Sequence, residues 1–509
     1  MRFSGSLTYC KIAIEDFVGV LSRFIKKTFD RADIAQGGTN TTIILDAYAS
    51  SNDDFYNKCY VTITAGTGIG QTRIITDYVG STKTATIDTK WDTIPDNTSE
   101  FRIYSGNFTP YNSNSISEKV ATIESDMNIG RFFKDNIYRG SKNVEGSISG
   151  IEIDYDNINI FLKALLGRES TPSVIGTSNV YSREFTPEET TTIQLPSLSI
   201  ELYKKTIYWY SGIFVKSLKL SGEVDQLIKA DFEFVGMEET ESTNPTNDKQ
   251  NPIYINADKF KYYEGSLSFK GSSTAWNNAY PNNNHFITMP IDSFDLTYDN
   301  GVEVKKTFKG MEEVIQNGSI DTGSTAQNIV LQGTVSSEWH IYNGLYMYFT
   351  SGANLGVMKK ITAYNPLTKT VTLESALSSA PAQNDTYDMI NLHNNRYPYS
   401  IDRQVGDIKI SLKNDLDNLM ANIRSEYKND YDCSIKITFQ TSSAIGTDGT
   451  TPVYGYLDID IPRCKIDEYT DDISGTDFIP ADISLIGLAP TNGDPAIKFT
   501  VYSKRAISY

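Results

Sequence analysis

Phe294-Asp295-Leu296-Thr297-Tyr298-Asp299-Asn300-Gly301 alternates apolar with polar side chains and then breaks at Asn-Gly. Successive side chains of a strand point to opposite faces, so this pattern buries Phe294, Leu296 and Tyr298 and turns Asp295, Thr297 and Asp299 outward. The Asn-Gly pair supplies the positive φ that a tight turn needs. Leu457, Ile459 and Ile461 against Asp458 and Asp460 repeat the pattern, and Asn317-Gly318, Asp448-Gly449 and Asn492-Gly493 repeat the turn. These stretches predict a mainly β chain with few helices.

At 509 residues the chain exceeds one ordinary domain, and a length of roughly 100–200 residues per domain implies three to five units. With 39% hydrophobic, 21% charged and 12% aromatic residues it has the balance of an ordered protein. The net charge of −17 disfavours binding of nucleic acid or anionic lipid by charge neutralisation. It suits equally a plain acidic protein or a conduit whose walls must not hold phosphates. Cys10, Cys59, Cys433 and Cys464 are far apart in sequence without a C-x-x-C pair, so they read as buried thiols. His285, His340 and His393 stand alone and offer little for metal or triad chemistry. The N-terminus has no secretory layout, and no apolar run approaches the ~20 residues that span a bilayer.

Two helices are expected. The first runs from about Ile14 to Ile34, with Ile14, Phe17, Val18, Leu21, Phe24 and Ile25 on one stripe. The second contains Ile158, Phe161, Leu162, Leu165 and Leu166 and ends at Gly167, a natural C-terminal cap.

Residues 55–103 align without a gap on 341–389, at a constant shift of 286, with 14 identities in 49 positions. Tyr56-Asn57, Tyr60, Gly66, Gly70, Ile75-Thr76, Tyr78 and Thr82-Lys83-Thr84 all recur, which marks a duplicated small β module. A fainter doubling places Ile228–Gly236 on Ile479–Gly487 at a shift of 251, and Val144-Glu145-Gly146 on Gln404-Val405-Gly406 at 260. The chain then divides into an N-terminal helical arm (1–37), a first module (38–105), a first main domain (106–250) and a second main domain (251–324 and 393–509). A second module (325–392) interrupts the last of these.

Arg139-Gly140-Ser141-Lys142-Asn143-Val144-Glu145-Gly146-Ser147, running on to Leu165-Leu166-Gly167, resembles the strand–turn–helix unit of the tail tube proteins of long-tailed bacteriophages. Leu195–Glu201, Tyr210–Leu218 and Phe294–Glu303 resemble further strands of that family, in its order, and the doubling is that of the kind with two tube domains per chain. The resemblance implies two tandem tail-tube β-barrel or sandwich domains, each with a short helix, beside the two duplicated modules. It also implies a virion structural protein without catalytic residues, cofactor or metal. Three such chains would form a pseudo-hexameric ring, and stacked rings would form the hollow conduit for genome delivery. The implied partners are further copies of the chain, the tail terminator, tape-measure and distal tail proteins, and viral DNA that slides through without tight binding. No membrane is involved, and the place of assembly is the prokaryotic host cytoplasm.

Candidates for a DNA-facing wall are Asp231, Glu233, Asp295, Asp299, Asp458 and Asp460, acids that alternate with apolar residues on strands. Each of them could equally face bulk solvent. Gly66-Thr67-Gly68-Ile69-Gly70 lacks the Lys and following helix of a phosphate loop and reads as a hairpin loop. Asp154 and Asp156 start like a calcium loop, but Asn159 stands where Gly is needed and Leu165 where Glu is needed, so a capped strand-to-helix turn is expected. Alternative readings are a distal tail or baseplate hub ring, and a carbohydrate-binding adhesive β protein using the modules' Tyr and Trp residues.

Overall fold

The computed structural model describes residues 8–124, 137–189, 195–255, 257–280, 286–305, 312–392, 400–403, 406–415, 418–471 and 480–509. It is mainly β. The alternating pattern at 294–299 forms the strand Ser293–Asp299, with Phe294, Leu296 and Tyr298 buried. This strand pairs on one side with Ile207–Glu223 and on the other with Asp407–Asp415. It therefore lies in the middle of an antiparallel front sheet of eight strands. In spatial order they are Ser117–Glu124, Ile137–Glu152, Lys229–Gly236, the end of Ile207–Glu223, Ser293–Asp299, Asp407–Asp415, Pro480–Gly487 and the end of Thr451–Thr470.

Behind it, the first half of Ile207–Glu223 pairs with Leu198–Tyr203, which pairs with Tyr9–Ile14. In the second half of the fold, Gly265–Gly271, Cys433–Asp448, the start of Thr451–Thr470, Lys498–Ser503 and Tyr181–Pro187 form the corresponding rear layer. The long strands Ile207–Glu223 and Thr451–Thr470 cross from rear to front. Each has a β-bulge near the start of its front-sheet stretch, between Val215 and Ser217 in one and between Ile466 and Glu468 in the other. An extra residue bends a strand and sharpens its twist, which is what a change of sheet requires. Among the described residues the pairs branch without closing on themselves. Of the two forms expected, the sandwich fits and the closed barrel does not.

One apolar core fills the space between the layers, from Ile148, Leu218 and Phe232 through Leu296 and Ile410 to Ile459, Leu485 and Phe499. Helix Ile158–Leu166 lies within it, with Phe161 stacked on Phe232 at 4.1 Å, and ends as expected at Gly167 with φ 88°. A second helix, Asn418–Lys428, follows Asp407–Asp415 as the first follows Ile137–Glu152.

The two modules share strands, hydrogen bonds and backbone conformations. At the shift of 286, strands Thr42–Ile44, Tyr60–Ala65, Thr72–Val79 and Thr84–Ile87 recur as Asn328–Val330, Tyr346–Phe349, Met358–Asn365 and Thr370–Leu373. Tyr78 donates to Ser50 O and Tyr364 to Ser336 O, both at 2.6 Å, and Lys83 and Lys369 both adopt positive φ. The sheets begin at Arg31 and Glu312, ahead of the starts read from the repeat, because the first strand of each pairs with the last, where identities between the copies are sparse. The glycine run at 66–70 is the hairpin loop between Tyr60–Ala65 and Thr72–Val79.

The helix expected over 14–34 does not form. Tyr9–Ile14 and Arg31–Ile34 are strands, and Lys27–Phe29 makes one 3-10 turn. The apolar spacing has another cause: Phe17 and Val20 pack on the second module, Val18 beside Phe214 and Met237, Leu21 and Ile25 near Tyr9 and Trp209, and Phe24 on the first module. Side chains that must reach four clusters cannot share one helical stripe.

Glu15 anchors this segment. Its buried carboxylate accepts from Ser197 Oγ at 2.6 Å and from Ser199 Oγ, Gly212 N and Gly19 N, each at 2.8 Å. Burial pushes its pKa up to about 8, with the four donors pulling the other way. A folded pKa above the unfolded one gives stability that is present at low pH and lost as pH rises through the folded value. Urea midpoints should therefore fall between about pH 5 and about pH 8, and Glu15→Gln should flatten that slope. Equal slopes in the two proteins would mean that the donors keep Glu15 charged throughout.

Candidate functional site

On the front sheet, the residues between the buried ones point away from the core. Lys229, Asp231 and Glu233 lie beside Ser221, Lys219 and Ser217, which lie beside Asp295, Thr297 and Asp299, then Ser411, Lys409 and Asp407. Asp482 and Ser484 continue the row opposite Lys413 and Ser411. Glu233, Lys219, Glu223, Lys409, Ser411, Lys413 and Asp482 are exposed. The result is a broad polar surface without large apolar side chains over the middle strands. It runs unbroken across both halves of the duplicated fold.

Four of the six acids nominated from sequence share this surface. Asp231 accepts from Gly150 N at 2.7 Å, and Asp299 accepts from Gly301 N at 2.8 Å. Asp295 pairs with Lys219 at 3.3 Å, and Glu233 projects into solvent. Asp458 and Asp460 do not join them. They lie on the start of Thr451–Thr470, in the rear layer, and face away from the core on the opposite side of the sandwich. Asp458 is 6% exposed, accepts from Thr438 Oγ1 at 2.6 Å and pairs with Lys436 at 2.9 Å. Burial raises the pKa of Asp460, and Lys436 beside it opposes the shift. The alternation of strand residues reads alike in both layers, so sequence cannot separate the two groups of acids.

Sequence reading also missed the lysines of the front surface, because it sought acids alone. Lys219, Lys229, Lys409 and Lys413 interleave with Asp231, Asp295 and Asp407. The 251-residue shift, which maps Asp231 onto Asp482, was the available signal for the second half of the surface.

Other nominated residues have structural partners. Asp154 accepts from Asp156 N and Asn157 N at 2.9 and 2.7 Å and pairs with Lys259, the hydrogen bonding of a strand-to-helix turn. All four cysteines are buried. Cys433 and Cys464, remote in sequence, sit opposite each other on paired strands with their sulfurs 3.2 Å apart. His340 packs against Phe29 and Trp339; His285 and His393 lie outside the described residues. Among the described residues no group of three or more His, Cys, Asp or Glu is placed to hold a metal ion.

The two environments predict different costs. Asp458→Ala removes a buried carboxylate that accepts from Thr438 Oγ1 and should destabilise the protein by about 2 kcal/mol. Glu233→Ala should fall within about 0.5 kcal/mol of the parent. Thermal denaturation of the two variants checks this, and equal losses would contradict the assignment of Glu233 to an open surface.

The sequence model of the phage tail tube protein family matches residues 80–320, which span the whole first main domain and the opening strands of the second. No curated protein matches the chain. Over residues 80–320, a little under half of its length, the chain is similar to the phage tail tube proteins, and this match supports a structural component of a virus tail.

Proposed function

We propose that the chain is the repeating subunit of a tail tube, and that the outward surface of the front sheet lines its channel. The observation that carries this reading is the continuity of that surface through both halves of the fold: one chain presents two equivalent stretches of wall. Three chains then supply six stretches, giving a ring with approximate sixfold symmetry. Rings stack through further self-contact. The hairpin of Ser117–Glu124 and Ile137–Glu152 suits that role, since Ile123, Ile137 and Tyr138 are each more than half exposed on it. The modules lie on the outside, and tail terminator, tape-measure and distal tail proteins meet the tube at its ends or within it.

A DNA duplex is a dense line of negative charge, and each Lys or Arg contact to phosphate would create a well from which moving DNA must escape. On the front surface each lysine has carboxylates as neighbours, Lys219 beside Asp231 and Asp295, and Lys409 beside Asp407. Its ammonium groups are thereby partly neutralised, and the wall is slippery. At physiological salt a Debye length of ~8 Å keeps residual repulsion short-ranged.

Native mass measurement of isolated rings should give three chains per ring, and six would overturn the stoichiometry. Replacing Asp231, Glu233, Asp295 and Asp299 by Lys should leave tubes assembling but slow DNA ejection, with added salt relieving the defect. Normal ejection at low salt from tails built of the variant would place these acids away from the channel.

A further inference from the structure

The front sheet contains its own template for joining one chain to the next. Its two halves obey one rule of equivalence. Lys219, Leu218 and Ser217 stand opposite Asp231, Phe232 and Glu233, and Thr470, Tyr469 and Glu468 stand opposite Asp482, Ile483 and Ser484, each residue shifted by 251. The bulges at Val215/Ser217 and Ile466/Glu468 obey the same shift, so the ends of the two long strands are structural copies.

The opening strands of the halves are copies as well. Ser117 and Lys119 stand opposite Glu145 and Asn143, and Thr297 and Asp299 stand opposite Lys409 and Asp407. Glu145 in turn meets Val235 and Lys409 meets Ile486, which are again related by 251, so Glu145 corresponds to Lys409 at a shift of 264 and not to Val405 at the 260 expected from sequence. Thr297 therefore corresponds to Ser117, and Asp299 to Lys119.

Within the chain, the end of the first long strand pairs with the opening strand of the second half: Ser217 opposite Asp299, Leu218 opposite Tyr298, Lys219 opposite Thr297. The corresponding strands at the outer ends of the sheet are Cys464–Thr470 and Ser117–Glu124. Among the described residues, no strand runs along the far side of Ser117–Glu124 or of Asp467–Thr470. A regular sheet edge templates a further strand.

We propose that the Ser117–Glu124 strand of one chain pairs antiparallel with the Glu468–Thr470 stretch of a second copy, in the register of the internal joint, with Lys119 opposite Glu468 and Ser117 opposite Thr470. The assignment rests on the tube-subunit reading and adds to it which edges meet and in what register. Charge supports it. Lys119 and Glu468 are both exposed, and directly opposed strand residues of opposite sign attract. A slip by two residues in one direction would set Lys119 against Thr470 and lose that pair. On the free chain the Glu239 carboxylate accepts from Glu118 N at 3.0 Å. A neighbouring strand takes over this donor as the flexible Glu239 side chain swings aside.

The test is disulfide trapping in assembled full-length protein carrying Lys119→Cys and Glu468→Cys together, with oxidised glutathione as oxidant. The four native cysteines are buried and provide a low background. Covalently linked chains, up to closed trimers, should appear on non-reducing denaturing gels for the double variant and be lost in each single variant. Lys119→Glu should separately lower ring yield at low salt, with Glu468→Lys in the same chain restoring it. Rings that form normally but give no covalent species with this pair would overturn the register while leaving the tube reading standing. A wild-type chain that forms neither rings nor tubes would remove both.

Discussion

The structure depends on the antiparallel pairing of Ile207–Glu223 with Ser293–Asp299. This pairing turns two half-sheets into one and brings Leu218 and Leu220 alongside Leu296 and Tyr298 in a single apolar core. Without it, each half would expose a sheet edge and the flank of its own core to water, both of which favour aggregation. The bulge before Ser217 is part of the same constraint, because it lets one strand serve the rear layer and then deliver its end to the joint. Helix Ile158–Leu166 packs on this strand and closes the core from within, and Asn300, just past the joint, donates to Leu165 O and Val215 O. The turn that follows the deciding strand is thus tied to the helix of the other half.

A sheet with one buried face leaves the opposite face free to vary, and here that face carries acids, lysines and small polar groups in alternation. Where ligand sites are built from a few convergent groups in a concavity, this surface spreads its polar groups over many strands. On the proposed tube reading, such a spread of polar groups lets a long molecule pass.

Much of this architecture was legible in sequence. The alternation at 294–299 gave the strand, and the gapless shift of 286 gave the modules, down to matching Tyr78 and Tyr364 hydrogen bonds. The failures have physical causes. Segment 14–34 has helical spacing because its apolar residues reach different bodies as it winds between them. Asp458 and Asp460 look like Asp231 and Glu233 because period two is the same in either layer of a sandwich. The proximity of Cys433 and Cys464 depends on the pairing of two long strands, and sequence separation conceals it.

The positions of the modules record an order of events. Module one occupies the connection between Tyr9–Ile14 and Asn107–Thr109, ahead of its half's opening front strand, whereas module two lies beyond Ser293–Asp299, past the small hairpin of Val302–Lys305 with Ser400–Arg403. Had one tandem copying of a module-bearing ancestor produced the whole chain, both modules would sit at the same point of the fold and share the offset of the strands around them. They do neither: the modules are 286 residues apart, while the strands before and after module two lie 180 and 264 residues from their counterparts, from Ser117 to Thr297 and from Glu145 to Lys409. The doubling of the main fold and the doubling of the module are therefore not one copying step: two different loops of one scaffold carry the same module.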